Sequence, residues 1–362
     1  MRATVPRHEP LLLVQDLQSF ARAPDPEGFA REHSVKQRRS RRAFLTGVAA
    51  TAAAAAMPRP PETNVAQAPP IPIIDTHIHL FDPTRPQGAP YSGPRPAPGA
   101  TPIAAYPERY RRLAVPLGVV GAIKVEASPW IEDNLWVLEV VQRDPIMVGV
   151  IGNLEPDKPE FPEYLERYHK NPLFRGIRYG NLWGRDITKQ SANPDFISGL
   201  KRLAEADLVM DTANPRVPLL EAMLRISDAV PTLRIVLDHL PALDPSEAER
   251  AAYDAALQEI GKRPQIFVKL SEIIHRVNGQ VSTELGAYRA RLDTLIGVFG
   301  EDRILFGSDW PNSDGVAPID KVFAVAKEYF RAKARPVAEK YFWKNSVAAY
   351  KWIKRDPSQP VL

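Results

Sequence analysis

From Ile71 onward, the chain alternates between two kinds of segment. Short apolar runs rich in β-branched residues are each followed by a longer amphipathic stretch of helical length. Eight such runs begin at Ile71, Gly121, Ile146, Phe174, Asp207, Arg234, Ile266 and Arg303. Eight β/α repeats within about 280 residues predict an α/β fold, the (β/α)8 TIM barrel. A doubly wound open sheet is the alternative, but no G-x-G-x-x-G turn follows any of these runs.

Two segments exceed what a minimal barrel needs. The Pro- and Gly-rich stretch from Asp82 to Pro107 is predicted to form an extended loop after strand 1, and long loops often cover binding sites. The aromatic-rich stretch PVAEKYFWKNSVAAYKWI, from Pro336, is predicted to be a C-terminal helix that packs against the barrel.

The N-terminal part of the chain has a different composition from the barrel. We predict a leader at residues 1–56, a Pro-rich linker at 57–70, the barrel at 71–353 and a tail at 354–362. Arg41 and Arg42, followed by Phe44 and Leu45, resemble a twin-arginine signal, which implies export by the Tat machinery to the periplasm or medium. The apolar run after it has 14 residues, against about 20 needed to span a bilayer, so we expect no stable membrane anchor.

Charge and cysteine content exclude several classes of function. The leader holds nine basic and five acidic residues, so the remaining chain carries 38 of each sign and offers no excess positive charge to nucleic acid. The chain has no cysteine, which excludes disulfides, thiolate metal ligands and a cysteine nucleophile. We therefore expect a small-molecule ligand. The sequence leaves a homo-oligomer open.

Polar residues recur where the predicted strands end. His77 and His79 lie two residues apart in the first strand and therefore point to the same side of it. His239 ends the sixth run, VLDHL, and Asp309 ends the eighth, in FGSDWP. The strand C-termini of such a barrel meet at its mouth, where two imidazoles and a carboxylate can hold a divalent ion. The four side chains are predicted to form one site.

The motifs DTHIH, VKLS and GSDWP, in this order, resemble those of the amidohydrolase superfamily, in particular the branch that contains sugar-lactone and muconolactone-type lactonases. The resemblance extends from about Ile71 to Ile353. It implies that His77 and His79 are metal-site residues, that His239 lies beside them as a catalytic residue, and that Asp309 both contacts the metal and activates water.

The resemblance implies at most one divalent metal, zinc or manganese. Two-metal relatives carry a Lys or carboxylate on strand 4 and a histidine on strand 5, whereas these strands end here in RYGN and MDTAN. Some lactonases of the branch use no metal, so a metal-free site stays open. Glu126, in KVEAS, is a further metal-ligand prediction, with a buried ion pair as its alternative.

Three residues are predicted to bind substrate. Arg178 and Tyr179 end the fourth run, so one of them should point inward, and an arginine there is able to grip a carboxylate. A salt bridge to a loop acid is the alternative for Arg178. His275 follows the seventh run on the same face of the barrel.

These observations predict an exported hydrolase that opens a cyclic ester, either a sugar lactone or a dicarboxylate lactone, with Asp309 as general base and acid. Two alternatives stay open: a metal-dependent decarboxylase of an aromatic or unsaturated acid, and a non-catalytic periplasmic binding protein.

Overall fold

The computed structural model describes residues 68–94 and 103–361. The predicted leader and its twin-arginine pattern lie outside these residues. Within the part described, none of the helices has both the length and the apolar character required to cross a bilayer.

Eight parallel strands form the barrel that the sequence predicts, in the spatial order β1 to β7 and then β10. Their bounds are β1 Ile73–Ile78, β2 Val119–Lys124, β3 Met147–Gly152, β4 Phe174–Arg178, β5 Val209–Thr212, β6 Arg234–Leu237, β7 Ile266–Lys269 and β10 Ile304–Leu305. Backbone hydrogen bonds join the two edge strands: the Thr76 N–H donates to the Phe306 carbonyl at 3.0 Å, and the Asp309 N–H donates to the His77 carbonyl at 2.9 Å. This closure places Asp309 beside the histidines of β1.

Helices cover the outside of the barrel. They are α1 Pro107–Ala114, α2 Asp133–Gln142, α3 Phe161–His169, α4 Ile187–Gln190, α5 Pro194–Glu205, α6 Val217–Ala229, α7 Glu247–Gly261, α8 Arg289–Phe299, α9 Ile319–Arg331, α10 Arg335–Glu339 and α11 Asn345–Tyr350, with a π-helical turn at Lys340–Lys344. One face of each strand packs against these helices. The other fills the interior with side chains such as Ile74, Ile123, Val148, Val236 and Leu305. Successive side chains of a strand point to opposite faces, so each strand contributes both to the barrel interior and to the layer beneath the helices.

A short hairpin, β8 Arg276–Val277 and β9 Gln280–Val281, lies in the loop after β7 and was not predicted. Its turn is Asn278-Gly279, and both residues have positive φ, 50° and 78°. Asn-Gly is the preferred pair for such a turn, so the sequence contained the signal.

The C-terminal segment packs on the barrel as predicted. Trp343, Tyr350 and Trp352 belong to the interior apolar cluster, and the Tyr350 carbonyl accepts a hydrogen bond from Arg175 Nε at 3.0 Å. Because Arg175 lies in the N-terminal part of β4, the segment covers the N-terminal end of the barrel, opposite the mouth. The tail continues along this surface, where Arg355 Nη1 donates to the carbonyls of Val141 and Met147.

Candidate active site

Three histidines and one aspartate converge at the mouth of the barrel. Asp309 Oδ1 lies 3.4 Å from His77 Nε2, 3.2 Å from His79 Nε2 and 3.8 Å from His239 Nε2. The Nε2 atoms of His77 and His79 are 3.2 Å apart. The structure therefore brings together the four side chains that the sequence predicted to form one site, although they come from three strands that are far apart in the chain.

The three imidazoles are uncharged. Burial lowers the pKa of His79 and of His239 to about 3 and holds that of His77 well below its usual range. Since the carbonyl of Val125 can only accept, His79 Nδ1 carries the proton that it donates at 3.0 Å, and the Nε2 lone pair points into the cluster. His239 Nδ1 lies 3.0 Å from the Ser271 hydroxyl, in the motif VKLS, which fixes its ring.

Glu272 is a fifth polar residue at the cluster. Its carboxyl group lies near that of Asp309, and its Oε1 lies 3.7 Å from His239 Nδ1. Burial raises the pKa of Asp309 to about 7, and burial together with the negative charge of Asp309 raises the pKa of Glu272. Two neighbouring carboxyl groups with raised pKa titrate as a pair, so together they can hold one proton at this position.

The backbone is strained at three of these positions. His239, Glu272 and Asp309 have φ values of 59°, 50° and 57°, in the left-handed region that non-glycine residues seldom adopt. Each follows the end of a barrel strand, so the chain turns sharply and directs the side chain inward. Such conformations cost about 1–3 kcal/mol each and occur preferentially at functional sites.

A buried charged network lies on the interior side of His77. Lys269 Nζ is 2.6 Å from Asp211 Oδ2, 2.9 Å from Asp238 Oδ1 and 3.2 Å from His77 Nδ1. The Tyr350 hydroxyl donates to Asp211 Oδ2 at 3.0 Å. Neither Asp211 nor Asp238 was predicted from the sequence, although a carboxylate inside an apolar strand, as in VLDHL, is a usable signal because it requires a buried partner.

Arg178 and Glu126 form a buried ion pair. Arg178 Nε donates to Glu126 Oε2 at 2.8 Å and Nη2 donates to the Glu126 carbonyl, while Arg185 Nη1 lies 3.3 Å from Glu126 Oε1. Each oxygen of the Glu126 carboxylate therefore faces an arginine. The metal-ligand prediction for Glu126 is not supported, because its charge is neutralised by two cations; the ion pair is the arrangement present.

Two of the predicted substrate-binding residues do not reach the cluster. Arg178 points inward, so Tyr179 points outward: its ring packs on Phe196 of α5, with centroids 4.8 Å apart. His275 Nδ1 donates to the carbonyls of its own loop, that of Ile273 at 2.9 Å, and its ring packs on Tyr288 at 5.1 Å. Because successive side chains of a strand point to opposite faces, Tyr179 cannot point inward together with Arg178. The conformation of the loop after β7 turns His275 toward the hairpin and away from the cluster.

The part of the predicted loop after β1 that the structure describes up to residue 94 reaches the site. The Tyr91 ring centroid lies 6.0 Å from that of His79, and its hydroxyl donates to Asn312 Oδ1. Asn312 Nδ2 in turn donates to Asp309 Oδ1 at 3.1 Å. Arg85 anchors the loop through an ion pair to Asp133 at 2.8 Å and by stacking on Trp136. Tyr91 of the loop is thus linked to Asp309 through the side chain of Asn312.

The donor set fits a divalent metal. His77, His239 and Asp309 each offer one ligand atom, all within 4.8 Å of one another, and His79 Nε2 points to the same place. Neutral imidazoles and a carboxylate are the ligands of catalytic zinc sites, and the Nε2 atoms of His77 and His79 are directed at one point beside Asp309 Oδ1. A histidine–carboxylate cluster at the mouth of a barrel is an arrangement typical of metal-dependent barrel enzymes.

Comparison with known proteins identifies the family. Residues 74–352 match the amidohydrolase family model, and the chain belongs to this family. An L-fucono-1,5-lactonase of Burkholderia multivorans is 25% identical over 285 residues, 76% of this chain and 94% of that protein. A 4-sulfomuconolactone hydrolase of Hydrogenophaga intermedia is 26% identical over 252 residues, 66% of this chain and 74% of that protein.

A zinc-bound amidohydrolase structure from Burkholderia multivorans has the same fold, with a TM-score of 0.68 and 22% identity over 78% of this chain and all of that one. Family membership makes this chain an enzyme of the hydrolase class with a small-molecule substrate, rather than the non-catalytic binding protein that the sequence left open.

Proposed function

We propose that this protein is a lactonase that opens the cyclic ester of a small, neutral sugar lactone. The observation that carries the proposal is the convergence of three uncharged imidazoles and Asp309 at the barrel mouth. The names of the two curated relatives, both enzymes of lactones, support the reaction class.

The residues that would hold a metal are His77, His79, His239 and Asp309. Imidazole-rich sites favour zinc, whereas manganese prefers oxygen ligands, so we propose zinc. A zinc ion bound here would polarise the ester carbonyl and lower the pKa of water.

Asp309 is the proposed general base and acid. Its Oδ1 lies 3.2–3.4 Å from the Nε2 atoms of His77 and His79, where it would accept a proton from the attacking water and return it to the leaving alkoxide. The neighbouring Glu272 carboxyl group provides a second place for that proton during the reaction. Ser271 orients His239, and Asp238 orients His77; neither Ser271 nor Asp238 is proposed to take part in the reaction itself.

The state of Arg178 favours a neutral sugar lactone over a dicarboxylate lactone. Its Nε and Nη2 both donate to Glu126, and its Nη1 lies 3.9 Å from Asp238 Oδ2. Two of its five N–H groups donate to Glu126, and the Glu126 carboxylate already balances the guanidinium charge, so Arg178 has little net charge to offer a substrate carboxylate.

The test is hydrolysis of L-fucono-1,5-lactone, followed by acid release, together with zinc content by elemental analysis. We expect about one zinc per chain. A His77→Ala variant should lose the zinc and more than about a hundredfold in kcat/KM, whereas His169→Ala, on the exposed end of α3, should behave as wild type. Wild type that carries no zinc and hydrolyses no lactone would contradict the proposal.

A decarboxylase is the second candidate, because the neighbouring carboxyl groups of Glu272 and Asp309 could hold a proton for transfer to a carbon. Incubation with aromatic and unsaturated acids and measurement of carbon dioxide distinguishes the two. Gas release without lactone opening would favour the decarboxylase.

We also propose export through the Tat machinery, which the residues Arg41 and Arg42 support. Full-length protein with both arginines changed to lysine should accumulate in the cytoplasm, whereas wild type should be recovered from the periplasm. Equal distribution of the two would contradict export by this route.

A further inference from the structure

Trp183 combines two unusual features. Its side chain is 37% exposed, in contrast to the buried Trp310 and Trp343, and its φ is +60°, in the left-handed region. A bulky residue in this conformation costs about 1–3 kcal/mol, which the protein must compensate for elsewhere. Packing against neighbouring residues does not explain why this loop holds an exposed indole in a strained backbone conformation.

The indole borders a cavity of about 660 Å3 near the C-terminal ends of β3 and β4. We call it the Trp183 cavity; its walls include Asp157, Tyr179, Trp183, Arg185, Gln190 and Asn193. This volume is in the range of small-molecule sites. None of the histidines of the reaction centre lines it. Arg185 lies between the two sites, since it borders the cavity and also contacts Glu126 at 3.3 Å.

The ionic side chains of the wall balance. Three acids and three bases line it: Glu155, Asp157 and Asp186, and Lys158, Arg185 and Lys189. With no excess of either sign, the cavity has no net charge to attract an ion. A neutral ligand fits it best.

A chain of hydrogen bonds joins the polar side chains of the wall. Asn193 Nδ2 donates to Gln190 Oε1 at 2.8 Å, and Gln190 Nε2 donates to Asp157 Oδ2 at 3.0 Å. Asp157 Oδ1 is buried, whereas the side chain as a whole is 13% exposed, so a ligand reaches this carboxylate through Oδ2. A carboxylate oxygen accepts more than one hydrogen bond, and a ligand hydroxyl therefore has an acceptor beside Gln190.

We propose that the Trp183 cavity binds a neutral, polyhydroxylated ring of the sugar type, with the apolar face of the ring against the Trp183 indole and a hydroxyl donated to Asp157. An aromatic face provides a flat apolar surface, and the polar wall provides the acceptors that such a ring requires. The ring is either a free sugar or the second ring of a larger lactone.

Binding of methyl β-D-galactopyranoside, measured by isothermal titration calorimetry on the full chain, tests the proposal without depending on the lactonase activity. We expect saturable binding that weakens about fivefold to tenfold in Trp183→Ala and is largely restored in Trp183→Phe. The control is Trp130→Ala, since that indole is 38% exposed and lies outside the cavity. His77→Ala should bind the glycoside as wild type does, because the reaction centre is separate.

Absence of saturable binding to wild type, or equal binding by wild type and Trp183→Ala, would overturn the proposal. If the lactonase activity is present, the glycoside should raise the KM of lactobionolactone but not that of gluconolactone when the cavity holds a second ring. An unchanged KM for both lactones identifies a free sugar as the ligand. A raised KM for both would place the glycoside in the reaction centre and overturn the proposal.

Discussion

Lys269 Nζ lies 2.6 Å from Asp211 Oδ2, and both side chains are fully buried below the active-site histidines. The same ammonium group contacts Asp238 at 2.9 Å and His77 at 3.2 Å. One buried cation thus contacts two carboxyl groups from neighbouring strands and lies next to a histidine of the site. The stability of the barrel and the placement of His77 depend on the same group.

Replacement of Lys269 by Met should leave Asp211 and Asp238 buried without their cation. Loss of one partner of a buried ion pair costs about 3–5 kcal/mol. The free energy of unfolding, measured in urea, should fall by that amount in Lys269→Met and stay nearly constant in Lys262→Met, whose side chain is 64% exposed. A loss of less than about 1 kcal/mol would show that the network is not a stabilising unit.

Lys124 predicts a pH dependence of stability. Burial lowers its pKa to about 8 in the folded protein, from 10.5 for an ordinary lysine. Between these values the unfolded chain holds a proton that the folded chain has released, so the free energy of unfolding rises with pH. We expect wild type to gain about 3 kcal/mol relative to Lys124→Met between pH 8 and 10.5. A constant difference between the two proteins across this range would contradict the lowered pKa.

Tyr91 should influence catalysis through Asn312 and Asp309. Tyr91→Phe keeps the ring above His79 but removes the hydroxyl that donates to Asn312, so Asp309 is held less firmly. We expect kcat on a lactone substrate to fall about fivefold to tenfold, with a smaller change in KM, because one hydrogen bond contributes about 1 kcal/mol.

The matched control for Tyr91 is Tyr106→Phe, which removes a hydroxyl that donates to Asp82 in the same loop at 2.8 Å and has no link to Asp309. It should lower Tm slightly and leave kcat near the wild-type value. Equal losses of kcat in the two variants would indicate that the loop as a whole, rather than Tyr91, is responsible.

Metal removal should separate activity from folding. The apolar side chains in the barrel interior and beneath the helices do not depend on the mouth residues, so protein treated with a chelator should keep its circular dichroism spectrum while it loses lactone hydrolysis. Added zinc should restore activity and raise the free energy of unfolding by about 2.7 kcal/mol at a concentration of 100 Kd. Unfolding on chelation would mean that the ion is structural.

The sequence was sufficient to predict the repeating architecture and the four side chains that meet at the barrel mouth. Alternating β-branched and amphipathic segments determine the barrel, because burial of one face per strand and helix allows few other arrangements. His77, His79, His239 and Asp309 were identifiable because polar residues at strand ends have no role in core packing. The alternation of side chains also required that only one of Arg178 and Tyr179 point inward.

Only the tertiary structure decided which charges pair. Glu126 could be a ligand or an ion-pair partner from its position in the chain, and the meeting of β2 with β4 and the loop of Arg185 made it the latter. Asp211 and Asp238 became neighbours of Lys269 through the closing of the barrel, and Glu272 reached Asp309 through a left-handed turn. The local pattern of apolar and polar residues determines which face of a strand or helix is buried. The partner of a buried charge depends instead on contacts between segments far apart in sequence.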